Sequence, residues 1–360
     1  MSIAQNQGET TQVTSFGKMP DGTEVELYTV WDGRIGSAFS SEATFSNFGA
    51  RLVSMKVPDR TGRVADVVLG YESLAMYLAD NSYQGAIVGR YGNRIADGKF
   101  SLEGKQYVVP QNNAPNALHG GPVGFDQAVW QAQIIPHGVE FTLVSPDGDQ
   151  GFPGTLTLTV RYTFQTGVLK IDYTATTDAP TVVNVTNHSY FNLEGDSSGT
   201  ILTHEITIPA EHFTPVNSAL IPTGELAPVE GTPFDLRQST PIGRHIEAGN
   251  EQLKLAGGYD HNYVFGHPGE MKLTARVRER TTGRVLTVET TEPGMQFYSG
   301  NFLDGSMPNR RNGRYTRRSG LCLETQHYPD SPNHPAFPST TLKPGETFRS
   351  TTIYSFTTEA

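Results

Sequence analysis

Glu324 and His188 each place an ionisable group inside a run of strand-forming residues. In Leu321-Cys322-Leu323-Glu324-Thr325-Gln326, alternation puts Leu321, Leu323 and Thr325 on one face and Cys322, Glu324 and Gln326 on the other. In the run from Val183 to Phe191, His188 shares a face with Thr186 and Tyr190. A glutamate buried in such a strand without partners is costly, and desolvation raises its pKa. The plainer reading gives Glu324 to solvent on a one-sided sheet and makes His188 a hydrogen-bonded core residue. Taken singly, neither residue identifies an enzyme.

Three further segments concentrate glycine and polar groups: Gly89-Arg90-Tyr91-Gly92-Asn93-Arg94-Ile95, Leu118-His119-Gly120-Gly121 and Gly258-Tyr259-Asp260-His261-Asn262. They read either as surface turns or as a site that hydrogen-bonds several hydroxyls. A sugar hydroxyl both donates and accepts, so Arg, Asn, Asp, Gln and His suit it, and a partner left unpaired in a dry pocket costs affinity. Trp130 and the tyrosines could stack on a sugar face, although such rings are more often core. No strand–GxGxxG–helix unit, GxxxxGK[ST] loop or HExxH is present, so nicotinamide, flavin and nucleotide sites are unsupported. The spacing of the ten histidines does not resemble a metal site, although Asp260-His261 could seed one. The expectation is no cofactor and no metal.

The elements that must position these residues are strands. From Thr155 to Phe164 the residues Leu156, Leu158, Val160, Tyr162 and Phe164 face one way. After Gln165-Thr166-Gly167 the pattern resumes with Leu169, Ile171, Tyr173 and Ala175, which predicts a hairpin with one buried face. Pro20-Asp21-Gly22 predicts a turn into Glu24–Val30, and Gly283 a turn between 273–278 and 285–288. Helical signal is scarce, and its best case is the i, i+3, i+4 spacing of Leu74, Tyr77 and Leu78 within 71–79, which supports one short helix. The fold class is therefore all-β: mostly antiparallel strands with few short helices, in one sandwich domain over 13–360 after a disordered tail, 1–12. A chain of 360 residues can bury a large core. Its 38 glycines and 23 prolines, with 18% charged residues, suit many short strands and tight turns.

The net charge of −10 disfavours nucleic acid and fits a neutral small molecule. A single cysteine, Cys322, forms no internal disulfide. Residues 1–12 are polar, and no apolar run approaches the roughly 20 residues that span a bilayer. The expectation is no membrane partner, a cytoplasmic location and a monomer or homodimer. A secreted or periplasmic protein with its leader removed would read the same.

Taken together the segments resemble the aldose 1-epimerase (galactose mutarotase) family in order, content and spacing. The GRxxNRI segment is Gly89 to Ile95, and LHGG is Leu118 to Gly121, followed by Gly124-Phe125-Asp126. Asp147-Gly148-Asp149-Gln150-Gly151-Phe152-Pro153-Gly154 is similar to the family's DGxxGxPG turn, and Thr186 to Leu193 to its TNHSYFNL strand. Ile221 to Gly224, Thr232 to Asp235, Gly258 to Asn262, Gln296 to Asn301 and Leu323 to Gln326 follow the family pattern, with Gly92 where many relatives have alanine. Each motif is weak alone; so many in order, from about Gly22 to the C-terminus, are specific. The resemblance implies a galactose-mutarotase-like β-supersandwich with an open cleft, and an isomerase acting on a free monosaccharide. It implies Glu324 as catalytic base, His188 as catalytic acid, His119 near the ring oxygen, and Asp260, Arg94, Asn93 and Gln296 on the hydroxyls. It also implies that a nearby carboxylate holds the His188 pKa up, giving a pH profile with its acid limb from Glu324 and its alkaline limb from His188.

Two rivals share this composition. A glycoside hydrolase would use a carboxylate pair flanking the scissile bond, and a histidine acid argues against it. A carbohydrate-binding module would keep the hydroxyl ligands without needing both Glu324 and His188. An epimerase for phosphorylated hexoses would want an added basic cluster, which the reading does not find.

Overall fold

The structure, a computed structural model, describes residues 11–32 and 41–360. Most of the predicted tail lies outside the described residues, but Thr11 and Gln12 already belong to the strand Thr11–Lys18. That strand pairs with Glu24–Trp31 across the predicted turn, at the edge of a five-stranded antiparallel sheet.

The period-two runs form a nine-stranded antiparallel sheet in the order 131–135, 138–145, 156–165, 168–177, 348–358, 284–290, 272–278, 205–207 and 240–241. Both central hairpins turn where the sequence places them. Thr166 and Gly167 have φ of 53° and 72°, the left-handed pair of a type I′ turn, whose twist matches the flanking strands. Leu156, Leu158, Val160, Tyr162, Phe164, Leu169 and Ile171 are fully buried in the main core, as the alternation requires.

A six-stranded sheet lies against this layer, in the order Tyr190–Phe191, Leu321–Gln326, Gly294–Tyr298, Asp260–Val264, His212–Phe213, Ala227–Pro228. Leu321 and Leu323 face the core, while the Thr325 hydroxyl lies 2.6 Å from that of Thr352 and the Tyr354 hydroxyl donates to Leu323 O. These contacts lock the strand carrying Glu324 to the sheet behind it and leave its other face to the cleft.

Two short α-helices among the described residues complete the fold. Leu74–Ala79 buries Leu74 and Tyr77 but exposes Leu78. Glu251–Ala256 is not predicted by the apolar spacing. Its signals are its ends, where the Asn250 side chain accepts from Gln252 N and Gly257 turns left-handed. No helix among the described residues is long and apolar enough to cross a membrane.

Candidate active site

Strand register brings Glu324 and His188 together. Tyr190 pairs with Cys322, antiparallel, so two residues further along each strand His188 faces Glu324. The regular ladder stops at Tyr190, yet His188 stays fixed. Its N–H donates to Ala86 O at 2.8 Å and its carbonyl accepts from Gly85 N at 2.9 Å. Gly85 is required there: its φ is +71°, and a Cβ would sit 2.0 Å from Leu52 O. Asn187 turns inward, donating to Gly85 O and to the Tyr162 hydroxyl, so His188 turns outward. The predicted run from Val183 to Phe191 is thus two two-residue strands, Thr186–Asn187 and Tyr190–Phe191, rather than one strand.

The Nε2 of His188 lies 3.8 Å from Oε2 of Glu324. Both side chains are almost completely buried, Glu324 at 2% exposure, so the solvent-facing reading of this strand is wrong. Oε2 of Glu324 is buried with no hydrogen-bond partner, which is an unfilled acceptor at the floor of a cleft of about 470 Å³. Lining the same cleft are Asn93, Arg94, His119 and Asp260, together with Tyr83, Asn113, Tyr298 and Phe302.

His119 is clamped by Asn93 through two bonds: its N–H donates to Asn93 O, and the Asn93 N–H donates to His119 Nδ1. With Nδ1 occupied as an acceptor, the ring proton sits on Nε2 and His119 is a hydrogen-bond donor. Asn93 and His119 both hold positive φ, 59° and 50°, an uncommon backbone for non-glycine residues. Gly120, beside them, approaches Gly89 so closely that a Cβ would lie 1.9 Å from Gly89 O. Asp260 accepts from Gln296 Nε2 at 2.8 Å and stands 3.9 Å from Arg94 Nη1.

Six of the seven expected residues therefore line one cleft. Gln296 does not. It sits opposite Glu324 on the neighbouring strand, but its amide is used on Asp260 and Gln326, so it braces the Asp260 carboxylate from behind. Tyr83 and Phe302 were missed because they come from loops without a recognisable pattern. Tyr298 and Tyr190 lay inside quoted motifs and had a signal. Trp130 is core and donates to Phe125 O. The 147–154 motif proves architectural: the buried Arg90 donates to Ser145, Pro146, Pro153 and Gly154 carbonyls and so pins that turn.

A protein-family model described as aldose 1-epimerase matches residues 34–355. The galactose mutarotase of Bos taurus is 48% identical over 342 residues, covering 95% of this chain and 97% of that protein. The chain belongs to the aldose 1-epimerase family. The aldose 1-epimerase of Escherichia coli (strain K12) is 39% identical, covering 94% of this chain and 97% of its own length. The crystal structure of galactose 1-epimerase from Lactobacillus acidophilus NCFM superposes with a TM-score of 0.82 at 26% identity, over 97% of this chain and 99% of that one. The chain is accordingly an isomerase, an aldose 1-epimerase on a galactose-mutarotase-like fold.

Burial governs the charges in this epimerase. It pushes the Glu324 carboxyl well above its usual range, helped by Asp260 and opposed by Arg94. It pulls His188 down to about 4 and His119 well below its usual value. Asp260 is raised by burial and restrained by Arg94 and Gln296. The expectation that a carboxylate holds His188 up therefore fails: at 3.8 Å the attraction does not offset desolvation of both groups. Burial thus favours the neutral form of both groups, the proton staying on Glu324 rather than on His188 Nε2. The pH assignment then reverses. Below about pH 4 His188 takes a second proton and the pair loses its acceptor; above the raised pKa of Glu324 it loses its only proton. The kcat/KM profile of the epimerase should be bell-shaped, with the acid limb near pH 4 removed by His188→Asn. An acid limb unchanged in that variant would contradict the assignment.

His119, His188 and Glu324 also offer ligand atoms within 4.8 Å of one another, the one such group among the described residues. Histidine spacing gave no hint of it. Asp260-His261 does not seed a site, since alternation sends His261 into the core against Phe213 and Phe234. The trio is a poor fit to zinc: His119 Nδ1 is occupied by the Asn93 N–H and Nε2 carries the proton, leaving that ring no lone pair to give. EDTA treatment should leave turnover unchanged; loss on chelation with recovery on adding a divalent metal would overturn this.

A basic stretch went unnoticed in the sequence: Arg310, Arg311, Arg314, Arg317 and Arg318. Arg310 is used by Asp66, and Arg318 by Glu247.

Proposed function

We propose that Glu324 and His188 open and close the ring of a free aldohexose such as galactose or glucose, with Glu324 as base at O1 and His188 as acid at O5. The observation that carries this is the unpartnered Oε2 of Glu324 beside His188 Nε2. A bound sugar's O1–H fills that acceptor. A hydrogen bond to the carboxylate favours its charged form, so the shared proton moves to His188. Glu324 then takes the O1 proton while His188 gives its proton to O5: the C1–O5 bond breaks and C1=O1 forms. Rotation about C1–C2 presents the other carbonyl face, and the groups exchange roles to close the ring. His119, as an Nε2–H donor, suits the ring oxygen. Arg94, Asn93 and Asp260 suit the hydroxyls, with Gln296 aligning Asp260. One hydrophobic core with residues from Tyr28 to Phe356 supports a single folding unit around this cleft.

Fresh α-galactose or α-glucose should lose its excess optical rotation faster with the protein than without it. A folded sample that leaves the spontaneous rate unchanged for every common aldose would refute the proposal.

A further inference from the structure

We propose that Cys322 is a positioning residue for His188: its sulfur accepts the Nδ1–H of the imidazole and so fixes the tautomer that turns Nε2 toward Glu324 and the sugar. This rests on His188 acting as the acid. The Cys322 Sγ lies 3.6 Å from His188 Nδ1, while Nε2, on the other side of the ring, lies 3.8 Å from Glu324 Oε2. Cys322 is fully buried, so water does not take its place at Nδ1. Among the described residues no other side chain hydrogen-bonds that nitrogen; Tyr83, Tyr190, Tyr298 and the His119 ring pack around the imidazole.

The reaction needs one tautomer. After giving its Nε2 proton to O5, His188 must keep the other proton on Nδ1 and hold an Nε2 lone pair ready to take the first one back. A free neutral imidazole favours the opposite arrangement, with the proton on Nε2. Hydrolytic triads impose the required tautomer with a carboxylate on Nδ1, which also stabilises the imidazolium. A buried thiol orients the ring without adding negative charge, because burial pushes its own pKa well above the ordinary thiol value. His188 therefore stays a strong acid toward a weakly basic ring oxygen.

The test uses Cys322→Ser, which keeps an acceptor, and Cys322→Val, which fills the space without one. Protein labelled with ¹⁵N-histidine gives the tautomer by NMR near neutral pH, with His188 assigned by its absence in His188→Asn. The wild type and Cys322→Ser should show a protonated Nδ1 and a bare Nε2. Cys322→Val should shift toward Nε2–H, with kcat lower by roughly 2–10-fold, the effect of one hydrogen bond, and KM unchanged. A wild-type His188 protonated on Nε2, or a Cys322→Val protein with wild-type tautomer and kcat, would overturn the proposal. The wild-type spectrum decides even if Cys322→Val fails to fold. It is read without turnover, so it stands apart from the acid role itself, which falls if His188→Asn remains fully active.

Discussion

Glu324→Gln should lower kcat by roughly 10²–10⁴-fold, the usual contribution of a general acid–base group, and leave KM within a few-fold. The amide keeps the shape of the carboxyl and accepts a hydrogen bond from O1–H, but it cannot take the proton. Folding should be little affected. Burial raises the Glu324 pKa well above the usual range and so favours its neutral form, and the substitution exchanges a neutral acid for a neutral amide of the same size. Buried and without a partner on Oε2, it anchors no ion pair whose loss would leave a stranded charge. Initial rates of optical rotation and a thermal unfolding curve separate the two effects. Near-full turnover in a folded variant would remove Glu324 from the chemistry.

His188→Asn should cause a comparable fall, again roughly 10²–10⁴-fold. Ring opening requires both proton transfers, so a protein lacking one gains little from the other. The double variant should therefore lose much less than the product of the single losses. His119→Asn serves as the comparison. Its imidazole is held as an Nε2–H donor by the Asn93 N–H and so cannot cycle a proton. It should lose binding more than proton transfer, and its acid limb should persist. If His119→Asn removes the acid limb while His188→Asn keeps it, the acid role belongs to His119.

The strands that build the nine-stranded sheet at the back of the molecule were legible because one face is buried and the other wet. Leu156 to Phe164 and Leu169 to Ala175 each alternate without interruption, and the structure follows them to the turn residues between. The helix Glu251–Ala256 was not, because its two leucines, Leu253 and Leu255, stand two apart, and the pair it buries at helical spacing is Leu253 with the small Ala256. The site was legible as motif types and illegible as geometry. Glu324 and His188 lie far apart in sequence, and only the pairing of Tyr190 with Cys322 sets them face to face. The 147–154 turn could be matched as a pattern, but its reason, carbonyls gathered on Arg90, is long-range. The resemblance puts Gln296 on the sugar; in the structure its amide donates to the neighbouring Asp260, a pairing across strands that no motif shows. The proton inventory was misread for a similar reason. A carboxylate near a histidine usually raises it, and only the depth of burial shows that desolvation wins here.

The most direct test follows the anomeric oxygen of α-galactose in H₂¹⁸O, over times short compared with exchange of the free aldehyde. Ring opening breaks C1–O5 and keeps O1, so the β anomer formed by the protein should retain its original oxygen at C1. Incorporation of ¹⁸O in step with anomerisation would mean that C1–O1 is cleaved instead, as in a glycoside hydrolase, and would contradict the roles given to Glu324 and His188.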